Sequence, residues 1–131
     1  MILIDTSAWI EFLRNSGSAT CERVDELLES KIATCDAIRM EVLAGARDEA
    51  HCRQLSRLLD RAVLLPTHSV DYESAAALYR HCHDEGRAVS KLVDCLIAAV
   101  AIRHGAVVLH RDSDFLAIAA ATELQIDRSE L

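Results

Sequence analysis

The sequence predicts an α/β fold, a three-layer α/β/α sandwich around a mainly parallel sheet of four to five strands. Three observations predict it. Apolar residues make up 51% of the 131 residues but aromatics only 4%, so the interior is built from Ala, Leu, Ile and Val, as in helices packed on a parallel sheet. Short apolar runs alternate with longer stretches of helical spacing, the order that yields parallel strands joined by crossovers. The stretch from Ser90 to Phe115 is half a parallel unit in itself, with an apolar helix, a stop at Gly105, a buried strand and an acidic loop. No repeat or linker interrupts the chain, so residues 1–131 read as one domain, long enough to bury roughly two thirds of its unfolded surface.

In order, Met1 to Ile4 is an apolar strand, and Thr6 or Ser7 is the expected cap of the helix that runs through Ala8, Trp9 and Leu13. Asp5 therefore stands where a strand's carboxyl end meets a helix N-terminus. After the turn Asn15-Ser16-Gly17, the spacing of Cys21, Val24, Leu27 and Leu28 carries a helix to Ser30. Ile32 to Cys35 is a second strand, and Asp36 is the expected cap of a helix over Ala37 to Gly45, with Glu41 in its middle. Glu49 to Leu59 keeps Cys52, Leu55, Leu58 and Leu59 in phase as an amphipathic helix. Ala62 to Leu65 is a short strand before Pro66, and Val70 to His83 a helix that ends near Gly86. Ser90 is the expected cap of the central helix, with Asp94 about one turn in and an apolar body from Cys95 to Ile102. The strand Ala106 to Leu109 delivers Asp112 and Asp114 past its end; Phe115 to Ala121 is a helix and Leu124 to Ile126 an edge strand.

Composition narrows the function classes. Five cysteines, an odd number without CxxC spacing, signal neither a disulfide framework nor a zinc site and read as reduced core thiols. The chain opens on Met1-Ile2-Leu3-Ile4-Asp5 without a basic leader, and the run Cys95 to Ile102 is too short to span a bilayer, so the expectation is a soluble cytoplasmic protein with no membrane partner. A net charge of −7 repels a phosphate backbone, so binding nucleic acid requires local basic groups or bound cations. The alternative is a basic partner.

Each acid has an ordinary explanation alone. Asp5 complements a helix dipole, and Glu41 is a solvated helix residue. Jointly, Asp5, Asp94, Asp112 and Asp114, with Glu41 on the helix after the second strand, crowd carboxylates at one sheet edge. Such crowding costs free energy unless protons or a divalent cation neutralise it. An all-oxygen ligand set suits a hard cation, whereas His81-Cys82-His83 lacks the spacing of zinc ligands.

Four segments, Ile4-Asp5-Thr6-Ser7-Ala8-Trp9-Ile10, Glu41-Val42-Leu43-Ala44-Gly45-Ala46, Asp94-Cys95-Leu96-Ile97-Ala98-Ala99 and Leu109-His110-Arg111-Asp112-Ser113-Asp114-Phe115, in this order resemble the PIN-domain ribonucleases, and among them the VapC toxins of bacterial toxin–antitoxin pairs. The resemblance spans essentially the whole chain. It implies a catalytic quartet of Asp5, Glu41, Asp94 and Asp112, with Asp114 as an auxiliary acid and Thr6 or Ser7 orienting Asp5 or a water. It implies Mg²⁺, or Mn²⁺ in its place, held by Asp5, Asp94, Asp112 and Asp114, and hydrolysis of RNA phosphodiesters in tRNA or rRNA stem-loops. Glu41 would complete a second metal's shell or hold the attacking water. A small VapB-type antitoxin and a homodimer are the implied partners. His110 stands where many PIN domains carry Thr or Ser, so either a hydroxyl contact is lost there or His110 only packs.

Arg14, Arg39, Arg87, Lys91 and Arg111 flank these segments. Lys91 and Arg111 are the first candidates for RNA phosphates, against an ordinary solvated charge. Two other classes compete. A phosphoaspartate hydrolase would need a second Asp two residues after Asp5, where Ser7 stands, and a non-catalytic acidic module would only attract a basic protein.

Overall fold

Hydrogen bonding between the apolar runs produces one parallel sheet. In the computed structural model, which describes residues 1–128, the strands are β1 (Ile2–Ile4), β2 (Ile32–Thr34), β3 (Val63–Leu64), β4 (Val107–Leu109) and β5 (Gln125–Ile126), in the order β3-β2-β1-β4-β5. β1 pairs with β2 on one side, Leu3 opposite Ala33, and with β4 on the other, Ile4 opposite Leu109. The chain thus leaves β1 in one direction and later returns to its opposite flank. The carboxyl ends of β1 and β4 form the switch point where α/β sheets gather ligands.

The helices among the described residues are α1 (Thr6–Leu13), α2 (Ala19–Leu27), α3 (Asp36–Ala44), α4 (Glu49–Leu59), α5 (Ser69–Asp84), α6 (Leu92–His104) and α7 (Ser113–Ala121). They flank the sheet as expected for the sandwich. α1 packs on both α2 and α3, and α3 on α4, while α5, α6 and α7 form a second group that α3 also touches through α6. Leu3, Ile4, Val108 and Leu109 are fully buried with Trp9, Phe115 and Ile118 around them. α6 is enclosed on most sides, with Cys95, Ile97, Ala98, Val100 and Ala101 inaccessible, which agrees with its uninterrupted apolar sequence. Gly105 ends it at φ 64, a conformation that favours glycine. Of the five expected core thiols, Cys21, Cys35, Cys82 and Cys95 are buried and free, whereas Cys52 on α4 is free but only partly buried. Among the described residues, no helix is long and apolar enough to cross a membrane.

Four expectations about helix starts are corrected. Asp5 itself, not Thr6 or Ser7, caps α1, its side chain accepting the Ser7 N–H. Asp36 is the first residue of α3, and Cys35 takes the cap position. Ser90 does not cap α6, because Lys91 occupies that position and the Ser90 hydroxyl is turned onto Asp114. The acidic loop after β4 is shorter than expected: Asp112 caps α7 and Asp114 lies inside its first turn. At α1, α6 and α7 an aspartate takes N–H groups at the helix start, whereas Cys35 makes no side-chain cap bond to α3.

Candidate metal centre

The site is assembled from the strand ends outward. The Asp5 N–H donates to the Leu109 carbonyl at 2.9 Å, continuing the β1–β4 ladder by one residue and fixing both loops. Asp5 Oδ2 accepts from the Ser7 N–H at 3.0 Å and the Ser7 hydroxyl at 2.6 Å, and the same hydroxyl oxygen accepts the Arg111 N–H at 2.9 Å. Ser7 therefore ties the β1 loop to the β4 loop. Thr6 serves the next acid, its hydroxyl donating to Glu41 Oε1 at 2.8 Å across from α3.

On the β4 side, the Asp112 N–H donates to His110 Nδ1 at 3.1 Å, while Asp112 Oδ1 accepts the Asp114 N–H at 2.9 Å. The His110 ring is buried and tilted against Phe115, with centroids 5.4 Å apart. His110 thus both packs and holds the turn that presents Asp112. Asp114 reaches back to the start of α6, where it accepts the Ser90 N–H and the Lys91 N–H, each at 3.0 Å, and the Ser90 hydroxyl at 2.9 Å. Ser90 is the site residue that sequence reasoning missed. Its position just before a helix fits a local cap equally well, and nothing along the chain pairs it with an acid 24 residues away.

Asp94, Asp112 and Asp114 each place an oxygen within 4.8 Å of the others, the one such group of acids, histidines or cysteines among the described residues. Asp5 lies outside that triad, but its charge acts on Asp94, and Glu41 acts on Asp5, so the five acids form one electrostatic chain. Burial, partly offset by the Ser7 hydrogen bonds and reinforced by Glu41, pushes the Asp5 carboxyl up to about 6. Burial, a hydrogen bond with Asp114 and the charge of Asp5 push Asp94 up to about 8, with Lys91 opposing. Burial also raises Asp114, but the Ser90, Asp94 and Lys91 hydrogen bonds outweigh it and hold this carboxyl below its usual range.

Two buried oxygens, Asp5 Oδ1 and Asp94 Oδ2, have no hydrogen-bond partner among the described residues. A buried carboxylate oxygen without a donor is costly. This observation, with an all-oxygen donor set, fits a hard divalent cation. Asp114 fits less well as a direct ligand, because most of its acceptor capacity is already used by Ser90 and Lys91.

The two expected phosphate contacts both face carboxylates. Lys91 Nζ stands 2.5 Å from Asp112 Oδ2 and 3.6 Å from Asp94 Oδ2, and the Asp112 hydrogen bond keeps its ammonium well above the usual lysine range. Arg111 is paired with Glu11. Arg39 is drawn away to Asp60 on the α4 side, whereas Arg14 lines a groove beside Glu41.

The acid shifts give stability a pH dependence. Asp5 and Asp94 bind protons more tightly folded than unfolded, so their contribution is most favourable below about pH 4 and is lost as pH rises through 6 and then 8. Asp71 at the start of α5, whose carboxyl the Arg103 guanidinium holds low through two hydrogen bonds of 2.8 Å, and Asp114 contribute the opposite slope only below about pH 4. Thermal melts in chelator should show wild-type protein losing stability between pH 5 and 8.5, with a shallower loss for Asp94→Asn. Equal slopes would mean that Asp94 is ionised throughout.

The PIN domain family model matches residues 2–121. The chain is 46% identical over 129 residues to VapC ribonuclease Mb1587 of Mycobacterium bovis and to ribonuclease VapC11 of Mycobacterium tuberculosis, covering 95% of this chain and 96% of each relative. Ribonuclease VapC51 of Mycobacterium tuberculosis is 33% identical over 121 residues, covering 92% of this chain and 86% of its own. Among solved structures, the VapBC2 complex of Rickettsia felis bound to a promoter DNA fragment superposes with a TM-score of 0.75 at 15% identity over 97% of this chain and 98% of its counterpart. VapBC-1 of nontypeable Haemophilus influenzae gives 0.74 at 23% identity over 97% of both chains. These two structures are similar in fold. With a strand-end acid cluster in place of a phosphoaspartate pair, the family match and the 46% identity show that the chain belongs to the PIN-domain family, among its VapC ribonucleases.

Proposed function

We propose that the protein is a metal-dependent endoribonuclease toxin whose acids at the β1 and β4 strand ends hold Mg²⁺, with Mn²⁺ as a substitute. The observation that carries this reading is the pair of buried oxygens on Asp5 and Asp94 without a hydrogen-bond partner among the described residues, with Asp94 grouped beside Asp112 and Asp114. Asp5, Asp94 and Asp112 would hold the ion. When bound, it supplies a Lewis acid for the scissile phosphate and lowers the pKa of a water. The chain's own groups do the rest. Ser7 fixes the Asp5 rotamer, and Thr6 holds Glu41 on the flank where a water can be oriented. Asp114 anchors the start of α6 so that Asp94 faces the other acids. Structured loops of tRNA or rRNA are the substrate class, since unpaired bases are accessible to sequence-specific recognition. One solved neighbour, Mycobacterium tuberculosis VapC20, is described as a sarcin-ricin loop cleaving toxin.

Chelator-treated protein should cleave RNA only after Mg²⁺ or Mn²⁺ is restored, and sequencing of the new RNA ends would identify the target. Binding of RNA or of a basic protein without cleavage at any metal concentration would favour the non-catalytic module.

A small antitoxin is the proposed inhibitor, acting in the cytoplasm, as the VapBC complexes among the neighbours suggest by analogy. A groove of about 410 Å³ runs along α1, α3 and α4, walled by Ile10, Leu13, Val42 and Leu55 and ending at Thr6 and Glu41. It suits an amphipathic helix whose basic residue reaches the acids. Leu13 is 44% exposed, so Leu13→Asp should leave the fold intact and weaken antitoxin binding about thirtyfold, as loss of a 2 kcal/mol apolar anchor would. Calorimetry with the co-expressed small protein checks this, and unchanged affinity would move the antitoxin elsewhere. A homodimer, testable by light scattering, would align two clefts across one RNA.

A further inference from the structure

We propose that Lys91 is an internal counter-cation of the acidic site, one that occupies the place of the divalent ion and competes with it for Asp112 and Asp94. The proposal rests on the metal-dependent reading above and adds a residue that opposes metal binding. Its ammonium lies 2.5 Å from Asp112 Oδ2 and 3.6 Å from Asp94 Oδ2. Those residues are two of the three acids close enough to share an ion. An Mg²⁺ bonded at about 2.1 Å to that Asp112 oxygen would stand within about 5 Å of the ammonium. Two positive charges at that spacing repel, so ion entry drives the lysine out.

The fold lets it leave. The Lys91 backbone is pinned, its N–H donating to Asp114 Oδ2 at 3.0 Å, while its side chain is 52% exposed on a flexible four-carbon stem. The swing therefore needs no change in α6. Two nearby guanidinium groups are already paired, Arg111 with Glu11 and Arg39 with Asp60. That leaves Lys91 as the cation seen against the triad among the described residues. It offsets the mutual repulsion of the acids before metal arrives, and it lowers their net affinity for metal by the same interaction. Once released, the ammonium remains tethered at the mouth of the site, where an RNA phosphate can take it.

Titration calorimetry of Mg²⁺ and of Mn²⁺ into chelator-treated protein, with thermal melts alongside, tests this without relying on cleavage. Lys91→Met should bind Mg²⁺ roughly tenfold more tightly than wild type and melt at a lower temperature without metal. Lys91→Arg, which keeps the charge, should stay close to wild type in both. If Lys91→Met does not fold, Lys91→Gln carries the same expectations. Wild-type or weaker Mg²⁺ affinity in the neutral variant, or an arginine variant that behaves like it, overturns the proposal and leaves the metal-dependent nuclease reading standing. No metal binding by any of the proteins overturns both.

Discussion

Asp94→Asn is expected to abolish RNA cleavage, by about a thousandfold or more, while the protein stays folded. Losing the metal removes several kcal/mol of charge stabilisation, and each 1.4 kcal/mol is about tenfold in rate. Asp94 is 2% exposed, and burial, its hydrogen bond with Asp114 and the charges of Asp5 and Asp112 already disfavour the carboxylate, with Lys91 opposing. Asparagine removes the charge but keeps an N–H donor for Asp114. Without metal, the variant should therefore be at least as stable as wild type at pH 8, with a melting point higher by about 4 °C for each kcal/mol of repulsion relieved. Stabilisation by Mg²⁺ should collapse together with cleavage. Melts with and without Mg²⁺, run beside an RNA cleavage assay, read both effects. Wild-type cleavage with wild-type Mg²⁺ stabilisation would remove Asp94 from the site, and an unfolded variant would make its role structural.

Much of this arrangement was legible because it follows from local periodicity and strand order. The runs Met1 to Ile4 and Ala106 to Leu109 pair side by side at the centre of the sheet, which is why Asp5, Asp112 and Asp114 converge, and Asp114 holds the start of α6 so that Asp94 joins them. Gly105 marked the end of α6 to the residue. What could not be read was the choice among polar partners across the sheet edge. Ser90 precedes a helix and is short and polar, so a cap is its local preference, yet Asp114 offers two oxygens beside it and takes both its N–H and its hydroxyl. Lys91 looked outward because lysines usually do. The three surrounding carboxylates, which no local pattern reveals, draw it in.

Asp114→Ala should separate positioning from ligation, because its effect on stability has the opposite sign to that of Asp94→Asn. The carboxylate accepts the Ser90 N–H, the Ser90 hydroxyl and the Lys91 N–H, and it is 4% exposed. Truncation leaves three donors at the start of α6 without their acceptor, each costing about 1 to 3 kcal/mol where water cannot replace it. Relief of repulsion with Asp94 and water entering the space offset part of that. A net loss of about 2 kcal/mol is expected, a large share of a marginal domain's stability. Asp114→Asn, which keeps one acceptor oxygen, should fall between wild type and Asp114→Ala. Cleavage should also drop, because Asp94 loses both its hydrogen-bond partner and the anchor that fixes the start of its helix. Residual Mg²⁺ binding should nevertheless survive, since Asp5, Asp94 and Asp112 remain. Urea denaturation and Mg²⁺ calorimetry on the same preparations decide the matter. If Asp114→Ala is as stable as wild type but no longer binds Mg²⁺, then Asp114 is a direct ligand and the Ser90 contacts contribute little to holding α6.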